Sequence, residues 1–356
     1  MSVAAGVSDI IHYCDLNMGE LSVGVIFPAK KLGRLQSVLS ETRDGVRFVL
    51  IDLSDPALVT PRDITAKYGR LDAVLHKLAH EMVFARLGDD AAGRRLTLME
   101  AFARQHPHVK MIDPIASVQL LTDRHAACEM LVRLQETSSG LFNVPPFFVA
   151  DSPERFQELV ARVDNAQPPS LSLQLPLICK SVEACATDRS HMMSVVTKRS
   201  DLQYVGYPAI YQTFINHSGR LFKGYVLGPL INVAERRSLP NIAAGANHVH
   251  FNTQEQYPTT EDFHGEDHPP AAPTAVAATA GASTPSKTQE EILAAVRRIG
   301  EMIRAQLGLS LFGFDVIMAD ATGELFVIDV NYFPSYKELD EFDSILRQHI
   351  RRTCEC

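Results

Sequence analysis

No stretch of this 356-residue chain reaches about 18 consecutive apolar residues, the length a membrane-spanning helix needs. The opening MSVAAGVSDI lacks a basic segment followed by a long apolar one, so it does not read as a secretory leader. Both absences predict an unsecreted, cytoplasmic protein, with nuclear access open and no membrane insertion. Positive charge is in deficit: 34 Lys and Arg stand against 42 Asp and Glu, a formal net charge of −8, which excludes nucleic acid as the partner that whole-protein charge would select. A polyanionic ligand has to be met by a local basic pocket. Cys14, Cys128, Cys179, Cys185, Cys354 and Cys356 show neither CxxC pairs nor the density of a disulfide scaffold. They read as reduced thiols, with the Cys354-Glu355-Cys356 tail left as a weak metal option. There is no GxxxxGK[ST] loop, no GxGxxG following a strand and no HRD plus DFG set, so three common nucleotide sites lack support.

What is present is length and apolar content, 46% hydrophobic over 356 residues, enough for two or three subdomains around one site. Residues 21 to 115 alternate apolar runs (LSVGVIF, RFVLIDL, LDAVLHKL, VKMID) with helical stretches, the pattern of a small βαβ unit with a parallel sheet. Beyond Val118 the pattern changes to a helix carrying TDRHAACEMLVRLQ, a strand VPPFFVA, a helix SPERFQELVARV and a strand LPLICKS. AIYQTFI, RLFKGYVLG and INVAERRSL follow in close order, the first two separated by His217-Ser218-Gly219, and such spacing predicts antiparallel hairpins. The fold class expected is therefore α/β followed by α+β, with a domain over residues 1–115 and a second over 116–356. Residues 253–288 combine Pro, Ala, Ser, Thr and acidic residues with little apolar periodicity and predict a flexible insertion. A helix over Thr288 to Leu307 is expected from Ile292, Val296, Ile299, Ile303 and Leu307 at helical spacing, ended by Gly308. A final helix is expected from about Glu338.

The sharpest chemistry lies in LFGFDVIMAD and ELFVIDVNYF. Ala321-Thr322-Gly323 fits a three-residue hairpin loop whose third position takes a positive φ, and the register it sets places Asp315 opposite Asp329 with Asn331 on the same face. Two carboxylates facing each other among apolar residues repel, and a cation between them resolves the conflict. All-oxygen ligation by so few groups suits Mg²⁺, which completes its octahedron with water and phosphate oxygens, so a nucleotide is implied. Cations surround this patch in sequence: Lys180 ends LPLICK, Lys223 interrupts FKGYV, and Arg236 with Arg237 follow on the next strand. Lys30 and Lys31, and His76 and Lys77, fall at strand carboxyl ends, where α/β sheets place ligands. His191 and Arg124 are weaker candidates, each with an ordinary structural reading on sequence alone.

VGVIFPAKKL, AVLHKL, MIDPIASVQLLTDR, PLICKS, SHMM, YQTFINHSGRLFKGYVLG, RRSLPN, LGLSLFGFDVI and VIDVNYFPSY occur in the order found in the inositol 1,3,4-trisphosphate 5/6-kinase family, also called inositol tetrakisphosphate 1-kinase. The chain resembles that family over most of its length. The resemblance implies an ATP-grasp fold with an N-terminal Rossmann-like βαβ domain, and a monomer that transfers the γ-phosphate of ATP to an inositol polyphosphate hydroxyl. It further implies that Gln212, Thr213, Phe214 and Ile215 form the adenine hinge and that Arg124, Lys180 and Ser238 contact ATP. Asp315, Asp329 and Asn331 would hold two Mg²⁺ ions. Lys31, Lys77, His191, Lys223 and Asn331 would bind inositol phosphate, and Lys223 and Arg236 would steady the transferring phosphoryl group. The sequence departs from the family at Ser335, where a small turn Gly is expected, at Cys185-Ala186, where His-Gly is expected, and by one residue inserted between Lys180 and His191. These changes touch the segment over the phosphates and the substrate rim, and so the choice of hydroxyl. An ATP-grasp ligase joining an acyl-phosphate to an amine or thiol is the second reading, and a non-catalytic inositol phosphate binder the third.

Overall fold

The computed structural model describes residues 19–164, 173–264 and 287–355; the Pro/Ala/Thr run of the 253–288 segment, Cys14 and Cys356 lie outside these. The first sheet is parallel. Its strands β1 (Leu21–Ile26), β2 (Val46–Leu50), β3 (Ala73–His76) and β4 (Lys110–Ile112) lie in the order β2-β1-β3-β4. Val23, Ala73, Val74 and Leu75 are fully buried, as strands covered on both faces require.

Strands β5 (Phe147–Ala150), β6 (Leu177–Lys180), β7 (Met192–Val196), β8 (Ala209–Thr213), β9 (Arg220–Leu227), β10 (Leu230–Arg237), β11 (Val249–Asn252), β12 (Leu311–Met318) and β13 (Leu325–Tyr332) build two antiparallel sheets. One has the order β11-β7-β6-β8-β5 and the other β10-β9-β12-β13. The expected hairpin at His217-Ser218-Gly219 does not form. Strand β8 is flanked by β5 and β6, so β9 finds no free edge there and pairs with β10 and β12 instead. The three residues carry the chain from one sheet to the other, turning at Ser218 (φ 50°) and Gly219 (φ 65°).

The helix Gln289–Leu307 starts where expected because Thr288 and Glu291 form a capping box and ends where Gly308 takes φ 61°. Its five predicted apolar residues are buried against the back of β9 and β10. Phe314 inserts its ring where two glycines leave room: a Cβ would lie 2.1 Å from it at Gly224 and 2.7 Å at Gly300. The last helix begins at Phe342, later than Glu338, because Tyr336 (φ 51°) and Glu341 (φ 58°) leave the helical region first. Just ahead of the expected insertion, Val249–Asn252 pairs with β7, and within its described part Phe263 is 2% exposed in a small core with Phe214 and Phe251.

The main core runs without a break from the parallel sheet through the β9–β12–β13 sheet to Leu346 and Ile350 of the last helix. His76 is sealed at this junction, with Nε2 2.7 Å from Asp113 O and the Leu78 N–H pointing at Nδ1 from 3.3 Å. A ring that accepts at Nδ1 and donates at Nε2 is neutral, and burial lowers its pKa to about 4. The folded value lies below the unfolded one of about 6.5, so this contribution is whole above pH 6.5 and is lost as pH falls toward 4, at about 1.4 kcal/mol per unit of difference. Burial also holds His349 at about 4. The urea midpoint is therefore expected to fall between pH 7 and pH 5, less steeply in His76→Gln; a midpoint flat over that interval contradicts the sign.

Candidate active site

The cleft between the two antiparallel sheets is built from period-two alternation. On β9, β12 and β13 the residues facing away from the helix layer include Lys223, Asp315 and Asp329, which stand side by side: Lys223 pairs in register with Asp315, and Asp315 with Asp329. This pairing survives through two compensating departures from expectation. Ala319 N donates to Glu324 O at 2.9 Å, so the turn contains Asp320 to Gly323, one residue more than expected. A β-bulge beyond Asp315 then skips Ile328 and restores the register. The bulge puts Ile328 and Asp329 together in the cleft wall, and the Ile328 carbonyl accepts from Lys180 Nζ at 2.9 Å.

Lys180, Gln212, Thr213, Phe214, Ile215, Ser238, Asp315 and Asp329 line this one cleft. Lys180 Nζ also donates to Gln212 Oε1 at 3.1 Å; burial lowers its pKa, and Asp329 opposes that shift. Burial would lower Lys223 too, but its ion pair with Asp315, Nζ to Oδ1 2.6 Å, raises it above the ordinary lysine value. Asp329 is freer: its ion pair with Arg124 is long, Nε to Oδ1 4.0 Å, and its side chain keeps 29% exposure. Asn331 lies on the same strand face, its Oδ1 3.2 Å from where a Cβ on Gly313 would stand. Glycine at 313 thus leaves the amide room over the sheet. Among the described residues no group of three or more His, Cys, Asp or Glu can hold a metal. Two carboxylates and one amide oxygen offer a hard cation a partial, all-oxygen shell, a donor set that fits Mg²⁺ when phosphate and water complete it.

At the hinge, the Thr213 N–H donates to Pro146 O and the Phe214 N–H to Pro176 O, at 2.8 and 2.9 Å. These hinge amides are therefore already committed to the sheet, while the Ile215 N–H has no partner among the described residues. Apolar walls surround it: Ile178, Met193, Leu221, Leu239, Phe251 and Ile317. His217 also lines this cleft, is 3% exposed and has an unpartnered Nε2. In the sequence it stands only in the turn His217-Ser218-Gly219, and nothing local marks it otherwise. Tyr257 is a second residue missed, hidden in a segment without periodicity.

Arg124, Arg236 and the N-terminal lysines are not among the residues that line the cleft, and each has protein partners. Arg124 donates from Nη1 to the Ser181 and Glu183 carbonyls, at 2.9 and 2.7 Å, and from Nη2 to Ser190 O at 2.8 Å. It clamps the loop ahead of His191, and its buried Nε faces Asp329 without a hydrogen-bond partner. Arg236 is paired with Glu338, which also takes the Tyr225 hydroxyl. Lys31 and Lys77 converge on the Phe333 carbonyl, at 3.1 and 3.0 Å, and Lys31 reaches Pro334 O at 2.8 Å. Burial depresses both ammonium groups, and for Lys31 the charge of Lys77 adds to the effect. Burial, then the charges of Lys30 and Arg124, lower His191. Ala186, at the expected Gly position, takes φ 78°.

A family model described as the inositol 1,3,4-trisphosphate 5/6-kinase ATP-grasp domain matches residues 138–352. The chain is 28% identical over 313 residues to an inositol-tetrakisphosphate 1-kinase of Xenopus laevis, covering 86% of this chain and 71% of the relative. It is 29% identical over 317 residues to inositol-tetrakisphosphate 1-kinase 1 of Zea mays, covering 85% and 79%. Among solved structures, the fold is similar to an ADP complex of N5-carboxyaminoimidazole ribonucleotide synthetase, with TM-score 0.58 at 11% identity over 95% of this chain and 78% of that one. It is also similar to a RimK-domain ATP-grasp protein of Sphaerobacter thermophilus, with TM-score 0.55 at 14% identity over 94% and 100%. At such identities the solved structures speak for the ATP-grasp fold alone. With more than half its length matched by the family model, the chain belongs to the inositol 1,3,4-trisphosphate 5/6-kinase family of ATP-grasp proteins.

Proposed function

We propose that this protein is an ATP-dependent inositol polyphosphate kinase that transfers the γ-phosphoryl group to a hydroxyl of an inositol polyphosphate. One observation carries the reading: Asp315, Asp329 and Lys180 meet at one end of an apolar cleft, with Lys223 bound to Asp315 beside them. The base would lie among Ile178, Met193 and Phe251 against the Ile215 N–H. The triphosphate would then run toward Lys180, with Arg124 and Ser238 at its flanks. Asp315, Asp329 and Asn331 would hold two Mg²⁺ ions, whose charge would offset that of the phosphates. Lys223 and Arg236 would meet the charge developing on the transferring group. That role requires Arg236 to exchange Glu338 for phosphate.

The acceptor would sit between the 1–115 unit and the 116–356 body, on the side of Lys31, Lys77 and His191. Two ammonium groups that share one carbonyl are short of negative charge, and a phosphate of the acceptor would relieve this. Transfer needs little nucleophile activation, because a loose transition state places its charge on the phosphoryl oxygens. Lys31→Met and Lys77→Met are each expected to raise the KM for the inositol phosphate about tenfold or more, leaving the KM for ATP within about twofold. Equal rises in both constants would place these lysines outside acceptor binding.

A further inference from the structure

Residues 253–263 touch both the nucleotide cleft and the side of His191 and Lys30. The Thr253 N–H donates to the His191 carbonyl at 2.9 Å. Gln254 Oε1 accepts from Lys30 Nζ at 2.8 Å, the neighbour of Lys31 on the N-terminal unit. Three residues on, Tyr257 lines the cleft with Asp315, Asp329 and Ser238, its ring 5.8 Å from that of Phe251. At the far end Phe263 is buried in the small core that holds Phe214 of the hinge. Burial raises the Tyr257 phenol above its ordinary value, and Asp315 and Asp329 push the same way against Lys223 and Arg236. Its neighbours are thus the groups at the triphosphate end of the cleft.

We propose that Thr253–Tyr257 is a strap that couples the acceptor side to the nucleotide cleft, with Tyr257 as a positioning residue that walls the triphosphate end against water. The inference rests on the kinase reading and adds a linkage to it. An acceptor that draws Lys30, Lys31 and His191 together tightens the strap at Gln254 and Thr253, and the strap carries Tyr257 onto the nucleotide. By reciprocity, nucleotide tightens acceptor binding by the same factor. Tyr257 is 39% exposed, and cover by bound ligand would desolvate it together with the phosphates.

The test is calorimetric binding of AMPPNP with Mg²⁺ to the full chain, with and without inositol 1,3,4-trisphosphate, beside rates of ATP hydrolysis and of transfer. The parent is expected to bind the nucleotide about fivefold more tightly when the acceptor is present, and Gln254→Ala to bring that factor to within about twofold while leaving affinity for nucleotide alone unchanged. Tyr257→Ala is expected to weaken nucleotide binding about fivefold and to raise the ratio of hydrolysis to transfer, and Tyr257→Phe to restore both, because the ring is the wall. An unchanged acceptor effect in Gln254→Ala, or nucleotide binding and coupling in Tyr257→Ala equal to the parent's, overturns the strap. A parent that transfers phosphate without any linkage overturns the strap and leaves the kinase reading standing. A parent that binds neither ligand overturns that reading and the strap with it.

Discussion

Asp329→Ala is expected to lower transfer to inositol phosphate by about a thousandfold or more, which is about 4 kcal/mol of transition-state stabilisation. Asp329 has the larger expected effect of the two paired aspartates because it is less committed to the protein. Asp315 already accepts a hydrogen bond from Lys223 at 2.6 Å, whereas the ion pair of Asp329 with Arg124 is 4.0 Å long. Removing Asp329 takes away the carboxylate with the most freedom to ligate. It also leaves Lys180 and Arg124 without the charge that offsets their burial. Asp329→Asn keeps the shape and loses the charge, so it should not recover the rate. The check is single-turnover transfer of labelled phosphate at saturating ATP and Mg²⁺, with nucleotide affinity measured separately. A rate within tenfold of the parent's would remove Asp329 from the chemistry.

Arg347→Met is expected to cost about 3–5 kcal/mol of stability, because the substitution strands a buried polar network and leaves the active cleft untouched. Arg347 is fully buried. All five of its N–H donors are used: Nε on Asp343 at 2.6 Å, Nη1 on Arg43 O and Val46 O at 3.1 and 2.8 Å, and Nη2 on Val38 O and Glu41 O at 2.6 and 2.9 Å. Its guanidinium lies 4.8 Å from the centre of the Phe48 ring. One side chain thus ties the last helix to the turn that feeds β2, more than 300 residues earlier in the chain. Lysine keeps the charge but cannot reach four carbonyls with three donors, so Arg347→Lys should rescue little. Urea unfolding followed by far-UV dichroism decides it; a loss below about 1 kcal/mol would mean that water replaces the guanidinium at those carbonyls.

Local signals were legible where local chemistry decides. Thr288, Glu291 and Gly308 bound the long helix whatever it packs against, and their positions are read from the chain directly. The partnership of Asp315 with Asp329 was also legible, though for an incomplete reason. The turn is one residue longer than its sequence suggests, and a bulge at Ile328 cancels the difference. A bulge answers to packing, here to Lys180 reaching the freed carbonyl, so no pattern within β13 announces it. The separation of β8 from β9 was not legible, because it depends on which sheet edges remain free after β5 and β6 have paired. The same holds for the basic residues. Lys31, Lys77, Arg124 and Arg236 were singled out as cations, yet carbonyls and Glu338 hold them, partners that come from distant strands and turns. Tyr257 and Gln254 were hidden for the opposite reason: a polar segment without periodicity reads as flexible, and its order comes from a few anchors, Thr253, Gln254 and Phe263.

The most direct measurement of the central claim is transfer of labelled γ-phosphate from ATP with Mg²⁺ to a panel of inositol phosphates, run beside Asp329→Ala and beside a panel of carboxylates and amines. The account predicts label in an inositol polyphosphate, absent with Asp329→Ala. ATP consumed only when a carboxylate and an amine are supplied would contradict it and make the protein a ligase.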